Sequence, residues 1–163
     1  MLTVWLIAAW LIASTNPVRE IVVAMLIRDR TEFAPRFSET QFATIVEGQS
    51  QTEVRAVLGA PLAEGWLYPP PGEGPLEERA ADRNACGAIR FRHDRVSEMF
   101  SPAGCQARGV NIGHSKSDVE RLLGAPADSC WDYTAAPPGR PFRLRAVCFH
   151  GATVEMIARR WVF

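Results

Sequence analysis

The sequence predicts an α+β fold: a tandem repeat of a unit made of two helices and a three-stranded antiparallel sheet, preceded by an N-terminal hydrophobic helix. Three observations carry this expectation. The phrase "GQSQTEVRAVLGAP" at 48–61 returns as "GHSKSDVERLLGAP" at 113–126, an offset of sixty-five residues. Self-similarity at a fixed spacing points to a duplicated unit. Each phrase has the grammar of a short capped helix, and each is followed by Trp-x-Tyr and then by strand-like runs joined by turn residues. The expected divisions are 1–33 for a targeting or anchoring segment, 34–105 for the first unit and 106–163 for the second.

The N-terminal stretch differs in kind from the rest. Leu2 to Ala13 is apolar apart from Thr3, and after Asn16-Pro17 and Arg19-Glu20 a second apolar run covers Ile21 to Ile27. Twelve residues are too few for about 30 Å of hydrocarbon, which takes roughly 20 in a helix, but they match the core of a secretory signal. Three readings stay open: a cleaved signal, an uncleaved anchor that associates with the inner membrane through residues 2–27, and a buried helix. Arg19, Arg28 and Arg30 follow the first run, and since positive residues favour the cytoplasmic side, charge opposes export.

The first unit opens with "FSETQFATIVEG". Ser38 and Gln41 form a capping box there, Phe37 and Phe42 form a hydrophobic staple, and Phe42, Ile45 and Val46 form the buried side. The corresponding "SPAGCQARGVNIG" of the second unit holds Pro102 and two glycines, so its first helix is expected to be degraded or missing. In the repeated phrases, Ser50 with Glu53 and Ser115 with Asp118 are capping boxes. Val54, Val57 and Leu58, and likewise Val119, Leu122 and Leu123, form apolar stripes. Gly59 and Gly124 supply left-handed stops, and Pro61 and Pro126 prevent continuation.

Trp66-x-Tyr68 and Trp131-x-Tyr133 then put two aromatic residues on one face of each opening strand. Both strands run into Pro-Pro-Gly loops, at 70–72 and 137–139. Strands over Ala88 to His93 and Val96 to Phe100 form a hairpin turning at Asp94-Arg95. Leu144 to His150 and Val154 to Ile157 do the same around Gly151-Ala152.

Four cysteines, Cys86, Cys105, Cys130 and Cys148, lack a Cys-x-x-Cys pair, so no zinc or thioredoxin-like spacing is present. Disulfides or buried thiols remain, with three pairings open. The strand reading favours Cys86 with Cys105 and Cys130 with Cys148, by placing Cys130 just before one strand and Cys148 opposite it in the next.

Ordinary globular composition, 47% hydrophobic and 22% charged, indicates no disorder, and eighteen basic against eighteen acidic residues give no field for nucleic acid. No nucleophile elbow, metal-binding helix motif or phosphate-cradling loop occurs, so the chain is expected not to be an enzyme and to need no cofactor. His93 and His150 with a cysteine are a conceivable metal set, against the plain reading of edge histidines. Candidate protein-binding residues are the aromatics Trp66, Tyr68, Phe91, Trp131, Tyr133 and Phe149, which either line an open sheet face or hold the helices onto the sheet. If they hold the helices, the opposite face becomes the candidate surface, carrying Arg90, Arg92, Arg143 and Arg145, whose bland reading is a solvated basic face.

The series Gly-x-Ser-x-x-Glu-Val-x-x-x-Leu-Gly-x-Pro, Trp-x-Tyr and then "RAVCF" with a hairpin resembles the SmpA/OmlA family, which includes the small lipoprotein of the outer-membrane assembly machine. The tandem arrangement with cysteines in each half also resembles the β-lactamase-inhibitor protein. The likeness covers roughly residues 37–163. It implies a protein-binding module of the bacterial envelope, periplasmic, membrane-anchored or secreted, that assists outer-membrane or periplasmic assembly. Inhibition of a periplasmic or secreted enzyme and a membrane-anchored structural role are the alternatives. No cysteine precedes Cys86, so the lipid attachment of such lipoproteins has no support here.

Overall fold

The computed structural model describes residue 25 and residues 29–68, 87–100, 109–126 and 128–162. The expected N-terminal hydrophobic helix, Cys86, Cys105 and the first Pro-Pro-Gly loop lie outside the described residues, as does most of the stretch where a degraded helix is expected. Among the described residues, no helix is long and apolar enough to cross a membrane.

The fold is α+β and mostly antiparallel sheet. In chain order the elements are β1 (Glu32–Phe33), α1 (Glu39–Phe42), α2 (Gln51–Leu58), β2 (Ala63–Leu67), β3 (Ala88–Arg92), β4 (Arg95–Phe100), α3 (Lys116–Leu123), β5 (Asp128–Asp132), β6 (Thr134–Ala135), β7 (Phe142–His150) and β8 (Thr153–Val162). Six strands make one sheet in the order β4-β3-β2-β5-β7-β8, and β1 pairs with β6 in a separate ribbon. Asp29 to Phe33 therefore belong to the folded body: Arg143 N–H donates to Thr31 Oγ1 at 2.8 Å.

Both helix starts form as their sequences dictate. Ser50 N–H donates to Glu53 Oε2 at 2.7 Å and Glu53 N–H to Ser50 Oγ at 3.3 Å. Ser115 and Asp118 repeat this at 3.2 Å in both directions. These bonds satisfy N–H groups that the first helical turn leaves without a carbonyl. Gly59 and Gly124 stop the helices at φ +75° and +82° with an extended ψ, so glycine is required there although the stop is not the left-handed helical conformation expected.

Replacing Ser50 or Ser115 with Ala is expected to cost about 1 kcal/mol each in denaturant unfolding. The bonds from Ser115 hold the Asp118 carboxyl down to about 2 from an ordinary 3.8, and those from Ser50 lower Glu53 in the same direction. A carboxyl depressed in the folded state stabilises above its unfolded value, and that contribution disappears as pH falls through the folded value. The penalty of Ser115→Ala should therefore shrink between about pH 4 and pH 2; a pH-independent penalty would exclude the Asp118 half of the box.

Other elements depart from expectation for local reasons. The first helix ends at Phe42, one turn long, so Val46 is exposed while Phe42 and Ile45 are buried. Leu122 is likewise exposed, and Val119 alone of α3 is buried outright. The β3–β4 turn is His93-Asp94, one residue earlier than expected, with φ of 51° and 60°. Positive φ at both turn positions matches the right-handed twist of the flanking strands, and Asp tolerates it better than most residues. Cys130 lies within β5, not before it, opposite Cys148 in β7, and the two are joined in a disulfide.

At the sheet centre, Gly65 of β2 stands opposite Cys130 of β5, with Glu64 opposite Trp131 and Trp66 opposite Ser129. Gly65 and Cys130 are themselves sixty-five positions apart, so a local two-fold axis passes between them and exchanges the flanking pairs. Strand for strand, the axis relates β2-β3-β4 to β5-β7-β8.

The helices cross this axis. Val54 and Leu58 of α2 pack, with Phe42 and Ile45, against Trp131, Tyr133, Val147, Phe149 and Val154. Val119 of α3 packs against Trp66, Ile89, Phe91 and Val96. Each helix thus covers the three strands that follow the other repeated phrase. The connection explains why: only residues 59–62 separate α2 from β2, and Leu62 N–H already donates to Asp132 O of β5 at 2.8 Å. A helix that ends so close to the central seam lies over the strands beyond it.

Matched hydrogen bonds fix the crossing on both sides. Gly48 N–H donates to Val154 O at 2.9 Å, Val154 N–H to Gln49 O at 2.8 Å and Gln51 N–H to Ala152 O at 2.9 Å. The partners are Gly113 to Val96 at 2.9 Å, Val96 to His114 at 2.8 Å and Lys116 to Asp94 at 3.2 Å. Tyr68 Oη–H donates to Gly124 O at 3.0 Å, and Tyr133 Oη–H to Gly59 O at 3.3 Å, so each Tyr bonds the carbonyl at the helix stop of the other repeat. Burial and nearby Glu120 push the Tyr68 phenol up to about 12, and burial pushes Tyr133 up as well. Both remain protonated donors.

Candidate protein-binding site

Of the two readings of the aromatic residues, the structure bears out the one in which they hold the helices onto the sheet. Trp66, Phe91, Trp131, Tyr133 and Phe149 are all buried, and Tyr68 is half-buried beside α3. Trp66 meets Phe91 with ring centroids 4.7 Å apart at 59°, and Trp131 meets Phe149 at 4.7 Å and 60°. They hold the helices onto the sheet, because strand alternation turns them all toward the helical face.

The four arginines do not form one basic face. Arg143 and Arg145 share the helical face with Val147 and Phe149, whereas Arg90 faces the disulfide side. Arg145 is fully buried, its Nε 3.0 Å from each Glu39 carboxylate oxygen. Arg143 pairs with Asp29 at 2.8 Å and lies 5.0 Å from the Phe33 ring centre. Arg90 pairs with Asp132 and with Glu98 at 3.8 Å; burial pushes the Asp132 carboxyl up and the Arg90 guanidinium opposes it. Arg92 alone is exposed. The chain from Asp29 to Phe42 covers the rest of the supposed basic face.

The metal set considered from sequence does not assemble. The Cys130 and Cys148 sulfurs are bonded to each other, and His93 sits at the β3–β4 turn, three strands away from β7. His150 instead faces Asp128, Nδ1 to Oδ1 at 2.8 Å, with Glu155 nearby; one ligand atom from each of the three lies within 4.8 Å of the others.

A groove of about 570 Å³ runs between the α2 stop at Gly59 to Pro61, the His93-Asp94 turn and the segment from Glu32 to Arg36. Sequence reasoning missed it, since its walls come from five separate stretches, at 32–36, 55–64, 91–94, 116 and 135. Glu64 and Phe91 form its floor. Lys116 Nζ reaches Glu64 Oε2 and Asp94 Oδ1 at 2.8 Å each, and Trp66 Nε1–H donates to Glu64 Oε1 at 2.6 Å. Burial alone would lower the Lys116 pKa, but the bonds to Asp94 and Glu64 outweigh it and raise it; the same contact lowers Asp94. Charges on the floor are thus satisfied internally, while Arg36, Arg55 and Arg92 stand exposed on the rim. Exposed guanidinium groups around a preformed groove offer bidentate bonds to carboxylates.

No family model matches this chain, and neither a curated protein nor a solved structure does.

Proposed function

We propose that this chain is a non-enzymatic protein-binding module of the bacterial cell envelope, a duplicated SmpA/OmlA-like unit that assists outer-membrane or periplasmic assembly. The local two-fold supports the duplication: Trp66 and Trp131, Val54 and Val119, and the two capping boxes occupy matched places. A disulfide supports an oxidising compartment, where such bonds persist. The observation that carries the binding reading is the arginine rim of the groove, with Arg36, Arg55 and Arg92 exposed around a floor whose own charges are paired.

A photo-crosslinking residue at position 92, introduced in the native host, tests this directly. The expected product is a discrete adduct with one envelope protein, lost when Arg36 and Arg55 are both changed to Glu, and a Cys130–Cys148 bridge that resists alkylation without reduction. An adduct with a secreted or periplasmic enzyme whose activity falls on binding would favour the inhibitor reading. An adduct indifferent to the charge reversal, or free Cys130 in the native-host protein, would refute the proposal.

A further inference from the structure

The two tryptophans beneath the helices differ in one respect. Trp66 donates its indole N–H to Glu64 at 2.6 Å, and the other Glu64 oxygen accepts from Lys116 at 2.8 Å. Across the local two-fold, Ser129 replaces Glu64 and Gln51 replaces Lys116. The Ser129 hydroxyl is too short to reach the indole, and it accepts from Gln51 Nε2 at 3.4 Å instead. Among the described residues Trp131 Nε1–H has no hydrogen-bond partner and is buried, in a residue only 2% exposed. A buried donor without an acceptor keeps the full desolvation cost of that group.

The charge around this position is also inverted. Glu120 stands near Tyr68 in one half, and its counterpart in the other half is Arg55, whose guanidinium lies 4.5 Å from the Trp131 ring centre. No ion pair or hydrogen bond engages Arg55 among the described residues. A groove of about 330 Å³ opens between Gln51, Thr52, Arg55, Ala56 and Trp131. One half therefore carries its own carboxylate, already held by an indole and a cation. The other has the indole and the cation without the carboxylate.

We propose that the groove beside Trp131 binds a carboxylate from outside, which gives Trp131 the acceptor that Glu64 gives Trp66, with Arg55 as counter-ion. This deepens the reading of the chain as a protein-binding module, on which the source of the carboxylate rests: an Asp or Glu side chain of an acidic segment of the partner.

Indole ¹H–¹⁵N spectra of the full chain with its disulfide intact test it, with the Trp131 signal assigned through Trp131→Phe. Titration with sodium acetate should move the Trp131 indole signal downfield to saturation and leave Trp66 in place, while sodium chloride at equal ionic strength moves neither. A short Glu-rich peptide should do the same at lower concentration than its Gln counterpart. Arg55→Ala should weaken the response about tenfold, as loss of a charge-assisted bond implies. Ser129→Glu supplies the carboxylate internally, so its Trp131 signal should start downfield and ignore both ligands. An equal response to chloride, an unmoved Trp131 signal, or a full response in Arg55→Ala or Ser129→Glu overturns the site. A response to acetate but none to the acidic peptide keeps the carboxylate site and overturns its assignment to a protein partner.

Discussion

A fragment of residues 34–105, the first repeat as sequence order delimits it, will show no cooperative thermal transition and little strand signal by circular dichroism. Val54 and Leu58 of α2 are fully buried, and their partners Trp131, Tyr133, Val147, Phe149 and Val154 all lie beyond the cut. The strands left in the fragment lose Val110 and Val119, which cover them. Exposing each large apolar side chain costs roughly 1.5–3 kcal/mol. Phe42, Ile45, Val54 and Leu58 together then reach the whole stability of an ordinary domain, about 5–15 kcal/mol. The segment 62–126, which holds β2, β3, β4 and α3 with their common core, should keep more residual structure than 34–105. A sharp melt from 34–105 would mean that a helix can fold back onto its own repeat, and the crossed packing would be dispensable.

Glu39→Ala is expected to cost about 1.5–3 kcal/mol, the range for losing a hydrogen bond to a charged group whose partner stays buried, since Glu39 itself is 33% exposed. Arg145 has no solvent exposure, and its Nε is bonded by both Glu39 oxygens at 3.0 Å. Its Nη1 also donates to Leu144 O at 3.0 Å, a neutral acceptor. The same pair ties the one-turn helix α1 to β7, so its loss also loosens Phe42 above Tyr133 and Phe149. Replacing both partners together, as Glu39→Leu with Arg145→Met, should recover most of the loss, because an apolar pair leaves no charge in the interior. Denaturant unfolding of the three variants measures the coupling. A cost under about 1 kcal/mol for Glu39→Ala would show that Arg145 is held by its other contacts.

Alternation along β7 already put Arg145 on the face of Val147 and Phe149, two and four positions away. The assignment of these arginines to an open face failed because alternation says which residues share a face and not what covers it. The segment from Asp29 to Phe33 covers it, and in the sequence it is a short charged stretch behind an apolar run with no strand pattern of its own. The His93-Asp94 turn was misplaced by one residue for want of a glycine; Arg92 and Arg95 pair across it, which a glycine-based turn signal does not reveal. Trp131 is the deepest case. Its sequence context matches that of Trp66, and only the Glu64-to-Ser129 difference, read across a sheet seam, exposes its missing acceptor.

By itself the sequence determined what depends on neighbours in the chain. The caps at Ser50 and Ser115, the stops at Gly59 and Gly124, the alternating strands and the matching of one half to the other all rest on contacts within about four residues or on turn stereochemistry. The tertiary structure alone decided which helix covers which strands and where exposed charge collects, and it chose the core over the open face for Trp66 and Trp131. Those outcomes turn on the pairing of β2 with β5, and the similar hydrophobic stripes of α2 and α3 do not by themselves say which sheet half each covers. Chain connection settles it, since four residues between α2 and β2 leave the helix on the far side of the seam.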